Sequence, residues 1–426
     1  MSKRPIAVDI FAGYGGFSLG FEQGGWDIKA AVEIDPVHAA VHKFNLPNSV
    51  VLPYSISELT GKDIRELSGI GNQTIDAVIG GSPCQSFSMA GLRALNDLRN
   101  SLVKEFLRIV LELKPSYFVF ENVKGLTIGK HKRFLVELIQ AFSQNGYSIR
   151  LPWKILNAAN FGVPQKRERL FLLGARKDLP LPKYPLPSTR LPGDKKADSN
   201  LPFVTTCGEA LGDLPEVEDF EALWTNDYVL IDHWKTQSNY GRQMRCLDES
   251  DWYFGYKRLW NPYLLTCSKR TNHSLEIRNR FQAAVPGKIE PISRFFKLAK
   301  NGVANTLRAG TDSSRGAHTS PRSIHYSSPR CITIREMARL QGCPDWVRPH
   351  ATKWHGGREI GNSVPIPLAR AIALEIIKCL EITPTRPIEV LELGNPNLLS
   401  MTMTQAANYW QIKVPIKARK RFEPNF

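Results

Sequence analysis

The feature that most constrains the fold is a rhythm. From residue 6 to Gly174 the chain alternates short runs of strand-forming residues with runs whose apolar positions fall three and four apart. Ile6-Ala7-Val8-Asp9-Ile10-Phe11 reads as a buried strand, followed by a glycine turn and a helix over 17–23. Strands are expected at 28–33, 77–80, 117–121 and 169–174, with helices after Pro36 and over 102–113 and 134–142. Strands that alternate with helices must bury both faces of a sheet. The fold class is therefore α/β, a doubly wound and mostly parallel sheet.

After Arg176 the rhythm stops. Pro180, Pro182, Pro185, Pro187 and Pro192 crowd together and break regular structure. Residues beyond them follow no βα pattern, and a second, smaller and irregular domain is expected there. Order returns near Ile332, with helices expected over 334–340 and 365–380. The 426 residues suit this plan of two domains or so. No apolar run approaches the ~18 to 20 residues of a membrane span, so no membrane partner is expected. No signal-peptide pattern opens the chain. The seven cysteines are irregularly spaced, without a C-x-x-C pair; a disulfide framework is not expected, nor is a metal, and a reducing, cytoplasmic setting fits.

Charge narrows the partner. The chain carries +16, and residues 257–335 hold fifteen Lys and Arg against Glu276, Glu290 and Asp312, a net +12. Aromatic residues such as Trp260, Phe281, Phe295 and Phe296 lie in the same stretch, so it can fold. A basic, structured module beside a more neutral one fits a surface that tracks phosphates. A solvated basic face is the plainer alternative.

Five short motifs carry possible chemistry. In Asp9-Ile10-Phe11-Ala12-Gly13-Tyr14-Gly15-Gly16-Phe17 the glycines let backbone approach a ligand at a helix start. Glu33, at the end of the next strand, is placed to hold ribose hydroxyls. That pair suits a dinucleotide or S-adenosylmethionine equally. In Gly80-Gly81-Ser82-Pro83-Cys84-Gln85-Ser86-Phe87-Ser88 a cysteine stands at a strand's carboxyl end, where open α/β sheets bind ligands. Gly91 and the polar run to Arg99 suggest a lid. Glu121 ends another strand, and Arg167 and Arg169 alternate, so both should point to one side. Gly361-Asn362-Ser363-Val364-Pro365 precedes the last long helix; its plain reading is an N-cap at Asn362 or Ser363.

Taken in order, these motifs, with Arg335-Glu336-x-x-Arg339-Leu340-Gln341-Gly342 added, resemble the DNA cytosine-5 methyltransferases. The resemblance spans residues 5–178 and 328–380. It implies a Rossmann-like S-adenosylmethionine domain at 1–178, a linker and target-recognition domain at 179–327, a return to the catalytic domain at 328–382, and an extension at 383–426. It implies methyl transfer from S-adenosylmethionine to C5 of a flipped cytosine in double-stranded DNA. Cys84, Glu121, Arg167 and Arg169 would be catalytic. Phe11, Gly13, Tyr14, Gly15, Glu33, Ile34, Ser55, Ile56, Pro83, Leu102, Asn362 and Val364 would hold the cofactor. Gln85, Ser88, Arg294, Arg308, Arg315 and Arg322 would touch DNA. A monomer is expected, with or without a cognate restriction endonuclease. A tRNA methyltransferase of the same fold is the alternative. One departure stands out: the family's Asp after the third strand, which serves the adenine, is replaced here by Ser55, leaving its hydroxyl, backbone or Asp76 to serve.

Overall fold

The computed structural model describes residues 4–82, 101–129, 131–235, 238–310 and 322–414. The expected rhythm is realised as β1 (Ile6–Ile10), α1 (Gly16–Gln23), β2 (Asp27–Val32), α2 (Pro36–Asn45), β3 (Val50–Leu52), α3 (Gly61–Leu67), β4 (Ala77–Gly81), α4 (Ser101–Leu113), β5 (Tyr117–Val123), α5 (His131–Gln144), β6 (Tyr147–Ile149), β7 (Lys154–Asn157) and β8 (Glu168–Arg176). The sheet runs β3-β2-β1-β4-β5-β8-β6, with β7 also on β8. From β3 to β5 all pairings are parallel; β8 is antiparallel to β5, β6 and β7. The doubly wound reading holds, with an antiparallel edge that the apolar pattern did not reveal. Side chains alternate across the strands, so Val8, Val78, Phe118 and Phe120 face one layer while Ala7, Ile79 and Val119 face the other.

The layer under Ala7 and Val119 extends well beyond the first 178 residues. Its apolar cluster includes Cys207, Leu211, Leu214 and Leu265 of the middle segment, and Leu398 and Leu399 of the extension. The middle segment has short elements: α6 (Cys207–Leu211), β9 (Val229–Leu230), α7 (Asn239–Met244), β10 (Lys257–Leu259), β11 (Leu264–Leu265) and α8 (Leu275–Ala283). A separate small core of Phe281, Ile324 and Cys331 lies under its basic part.

The return consists of α9 (Ile334–Leu340), α10 (Lys353–Asn362) and α11 (Ile366–Cys379). The stretch Lys353–Cys379 has the length and hydropathy of a membrane span. It is, however, two helices interrupted at Ser363, Val364 and Pro365, and α11 buries Leu368, Ala369, Ile372 and Ala373. Its partner is α1. A Cβ on Gly20 would lie 2.3 Å from the Ala369 Cβ and 2.8 Å from the Ile366 carbonyl oxygen. Replacing Gly20 by Val should therefore separate the two helices, at a cost of about 1–3 kcal/mol, read as a lower midpoint in thermal unfolding. A midpoint equal to that of the parent protein would contradict this packing.

The extension is folded onto α2 and the middle segment. Its β12 (Val390–Glu392) pairs in parallel with β10, and α12 (Met403–Tyr409) lies on α2. The Trp410 indole donates to the Pro36 carbonyl at 3.1 Å, and the Gly394 amide to the Phe44 carbonyl at 2.9 Å. Residues 383–414 are thus a structured addition to the fold.

Candidate active site

Two strand ends build the first half of the site. Past β1 the chain turns left-handed at Phe11 (φ +66°), Gly13 (φ +57°) and Gly15 (φ +103°). A non-glycine residue held in this region is strained, and such strain gathers at functional turns. The turn is anchored by Glu33 at the end of β2: one carboxylate oxygen accepts the Gly13 amide at 2.7 Å, the other the Asp35 amide at 2.9 Å. Burial pushes the Glu33 pKa up. Ile34 beside it is 57 % exposed, an apolar side chain open to solvent at the carboxyl edge of the sheet. Ser55 follows β3 and shares a 2.7 Å hydrogen bond with the Ser57 hydroxyl, and Ile56 is buried. Asp76 lies at the other end of the sheet: it precedes β4 and its carboxylate accepts the Ile6 amide at 2.7 Å. It is thus removed as a stand-in for the missing Asp.

Three more of the expected cofactor residues, Tyr14, Asn362 and Val364, lie where the return packs on the turn: a Cβ on Gly16 would meet the Ser363 hydroxyl and lie 2.9 Å from the Val364 carbonyl oxygen. Tyr14 is buried and its hydroxyl meets the Cys343 sulfur at 2.9 Å, in the packing between α1 and the return. Asn362 is exposed at the last turn of α10, and the N-cap of α11 is Pro365, so Asn362 and Ser363 do not cap that helix. Val364 is buried, and the Ser363 carbonyl accepts the Gln341 amide at 2.9 Å. Leu102 is half-buried in the first turn of α4, packed on the same apolar layer as Phe11.

Asp9 was quoted in the turn motif without a role. It is 1 % exposed; one oxygen accepts the Ser18 hydroxyl at 2.6 Å and the other has no partner. Burial, opposed by the Ser18 bond, raises its pKa to about 7. A carboxyl with a raised folded pKa favours the fold below its ordinary value of 3.8, and this contribution is lost as pH rises through about 7. Asp9→Asn stays neutral, so its gain in thermal stability over the parent should grow between pH 3.8 and about 7, and be larger at pH 8 than at pH 5. Calorimetry at the two pH values checks it; equal differences at both would count against a protonated Asp9.

The second half centres on Glu121. In the parallel pair β4–β5, Glu121 is opposite Gly81, and a Cβ on Gly81 would lie 2.7 Å from the Glu121 carboxylate. Only a residue without a side chain leaves that carboxylate where it is. Antiparallel β8 brings Arg169 alongside, its Nε 3.1 Å from a Glu121 oxygen. Burial raises the Glu121 pKa, and the guanidinium charges of Arg169 and Arg167 oppose that rise. Asn122 donates from its side-chain amide to the Ser82 carbonyl at 3.2 Å, tying the end of β4 to that of β5. Pro83, Cys84, Gln85, Ser88 and the stretch from Gly91 to Arg99 lie outside the described residues, as does Arg315.

Arg167 does not share the geometry of Arg169. It precedes β8, is 1 % exposed, and donates to the carbonyls of Leu307 at 3.0 Å and Gly361 at 2.8 Å. Burial lowers its pKa to about 9. Gln165 acts similarly: it donates to the Leu340 carbonyl and accepts from the Leu307 amide. These two side chains join the catalytic sheet, the middle segment and the return. Sequence alternation missed this because it assumed a strand already begun at Arg167.

The Arg335 motif is a second joint. Arg339 is fully buried between Asp213 of the middle segment and Asp345, with bonds of 2.6–3.1 Å. Arg335 donates to the Thr266 hydroxyl and the Val347 carbonyl, and Glu336 receives Arg330. Among the expected DNA contacts, Arg294 and Arg308 are exposed, and Arg308 directly follows Leu307, the residue bound by Arg167 and Gln165. Arg322 is half-buried and donates to the Thr271 hydroxyl at 3.3 Å.

The site is thus a Rossmann-like sheet with a glycine turn, an acidic residue after β2 and a Glu–Arg ion pair beside the end of β4. Residues 7–378 match the family of C-5 cytosine-specific DNA methylases, and the chain belongs to it. Among its relatives, the type II methyltransferase M.XorII of Xanthomonas oryzae pv. oryzae is 52 % identical over 417 residues, covering 98 % of this chain and 95 % of the relative. M.DdeI of Desulfomicrobium norvegicum is 31 % identical, covering 87 % and 88 %. A crystal structure described as a DNA modification methyltransferase encoded within an E. coli prophage superposes with a TM-score of 0.71 at 30 % identity, over 89 % of this chain and all of that one. The Dnmt2 methyltransferase of S. pombe shares the fold, with a TM-score of 0.53 at 17 % identity over 89 % of this chain and all of that one.

Proposed function

We propose that the protein transfers a methyl group from S-adenosylmethionine to C5 of cytosine within a short double-stranded DNA sequence, as a type II modification methyltransferase. The observation that carries this reading is the ion pair of buried Glu121 with Arg169 beside Gly81, three residues before Cys84. The residues present fit the cofactor: the turn is held by Glu33, Asp9 has an unpaired buried oxygen next to it, and Ile34 offers an apolar face. Phe11, Gly13, Gly15, Glu33, Ile34, Ser55, Ile56, Pro83 and Leu102 would line its pocket. When bound, S-adenosylmethionine supplies an electrophilic methyl group.

This chain's own residues activate the acceptor. Cytosine C5 is a weak nucleophile, and addition of the Cys84 thiolate at C6 turns it into an enamine carbon. The electron pair displaced by that attack moves toward N3, where protonated Glu121 donates. Arg169 steadies Glu121 and sets positive charge near O2. After methylation the N3 proton returns to Glu121, and loss of the C5 proton to solvent with expulsion of Cys84 restores the ring. Stacked duplex blocks this geometry, so the base must be flipped, at a few kcal/mol. Exposed Arg294 and Arg308, with Arg315 and Arg322, supply the basic surface that meets DNA, and Gln85 and Ser88 lie close enough in sequence to Cys84 to serve the vacated space. Arg167 supports the site through the joint described above, and Asn362 and Val364, in the stretch that packs on Gly16 of the turn, would join the cofactor pocket.

Expression in a methylation-free bacterial host followed by bisulfite sequencing tests the reading. Converted genomes should retain cytosine at every copy of one short sequence, and purified protein should form a denaturant-stable adduct with duplex containing 5-fluorocytosine at that position. Methylated tRNA with unmethylated DNA would decide for the RNA reading.

A further inference from the structure

Behind the Glu33 turn is a cluster that the methyl-transfer chemistry does not use. Asp35 caps α2, accepting the Val37 amide at 3.0 Å and the His38 amide at 3.4 Å with one oxygen. Its other oxygen is 3.9 Å from the His38 Nδ1. His355, in the first turn of α10, brings a second imidazole edge-on to His38, with ring centroids 5.9 Å apart. The ligand atoms of Asp35, His38 and His355 lie within 4.8 Å of one another.

Three polar atoms here are buried without a hydrogen-bond partner among the described residues: His38 Nε2, His355 Nδ1 and Glu359 Oε1. His38 is 6 % and Glu359 2 % exposed. Orphaned groups at this depth are uncommon, and several in one place ask for an unseen partner. His350 marks the contrast. Its Nδ1 accepts the Thr352 amide and its Nε2 donates to the Met401 carbonyl, both at 3.1 Å. It is therefore fully satisfied, and its ring lies tilted at 60° against that of His355, with centroids 4.9 Å apart.

We propose that Asp35, His38 and His355 form a binding site for a divalent transition-metal cation of the zinc class, with Glu359 beside it. Two imidazoles and a carboxylate are borderline donors that select zinc, cobalt or nickel over magnesium or calcium. The ligands come from α2 and α10, so the ion clamps the sequence-distant return onto the cofactor half of the sheet. It also fixes the Asp35 turn, whose amide holds Glu33. The inference departs from the sequence expectation of no metal, because the three ligands share no motif: His355 is far along the chain from Asp35 and His38.

The test titrates chelator-dialysed full-length protein with cobalt(II) alone. One equivalent should bind and give visible d–d bands without thiolate charge transfer. Affinity should fall at least ~10–100-fold in His355→Ala and in Asp35→Asn, a change that keeps an N-cap acceptor and so protects folding. The apparent affinity for S-adenosylhomocysteine should rise when the ion is present in the parent protein and not in the variants. Absence of stoichiometric binding, thiolate bands from a cysteine site, or an unchanged spectrum in both folded variants would each overturn the proposal.

Discussion

Cys84→Ser is expected to abolish methyl transfer, by at least about 10⁴-fold, while DNA and S-adenosylmethionine still bind. A serine hydroxyl is almost wholly protonated at neutral pH and lacks the thiolate's nucleophilicity, so the addition at C6 is lost while the shape of the side chain is nearly kept. No other described cysteine can substitute. Cys207, Cys246, Cys267, Cys331, Cys343 and Cys379 are free, and burial raises the pKa of every one, Cys207 and Cys343 to about 12. They are small packing residues held as thiols. The assay is single-turnover transfer of a labelled methyl group to duplex, with a gel-shift measurement beside it. Transfer within tenfold of the parent rate would remove Cys84 as nucleophile. Loss of DNA binding together with transfer would show a misfolded variant, and a Cys84→Ala protein would then be needed.

How much of this was legible in the sequence differs by element. The five strands expected at 6–11, 28–33, 77–80, 117–121 and 169–174 lie on β1, β2, β4, β5 and β8, because strands buried on both faces, β8 among them, are continuous apolar runs with glycine or helix signals on either side. The three-residue β3 and β6 gave too short a pattern, and the direction of β8 is a tertiary property that no run of apolar residues encodes. The site was legible where a strand end fixes direction: Glu33 and Glu121 stand there. It was not legible at Arg167 or Tyr14, whose partners lie far along the chain, at Leu307 and Gly361 for one and Cys343 for the other. Asp9 and the Asp35–His38–His355 group were missed for a related reason. Burial creates their chemistry, and burial of a polar residue leaves little trace in local pattern. The left-handed turn around Gly13 was the one available signal for Asp9.

Glu121→Gln should lower kcat by ~10²–10⁴-fold with little change in DNA affinity, since the amide fills the same space and has no acidic proton to give. The pH dependence makes the case sharper. Burial raises the Glu121 pKa, which extends its protonated form upward in pH, whereas Arg169 pulls in the other direction. The proton donor is present at low pH and is lost as pH rises through that pKa, so Glu121 gives the falling alkaline limb of the rate profile. Cys84, active as the thiolate, gives the rising limb. In Glu121→Gln the falling limb should disappear from the small remaining rate. Arg169→Gln removes the charge 3.1 Å away and should shift the same limb to higher pH, even as loss of positive charge near O2 lowers the plateau. Opposite expectations attach to a structural ion pair: either substitution would then lower stability and leave the profile's shape alone. A limb that moves to lower pH in Arg169→Gln, or stays fixed in both variants, would exclude Glu121 as the acid, because a carboxyl stripped of its nearest cation can only become easier to protonate.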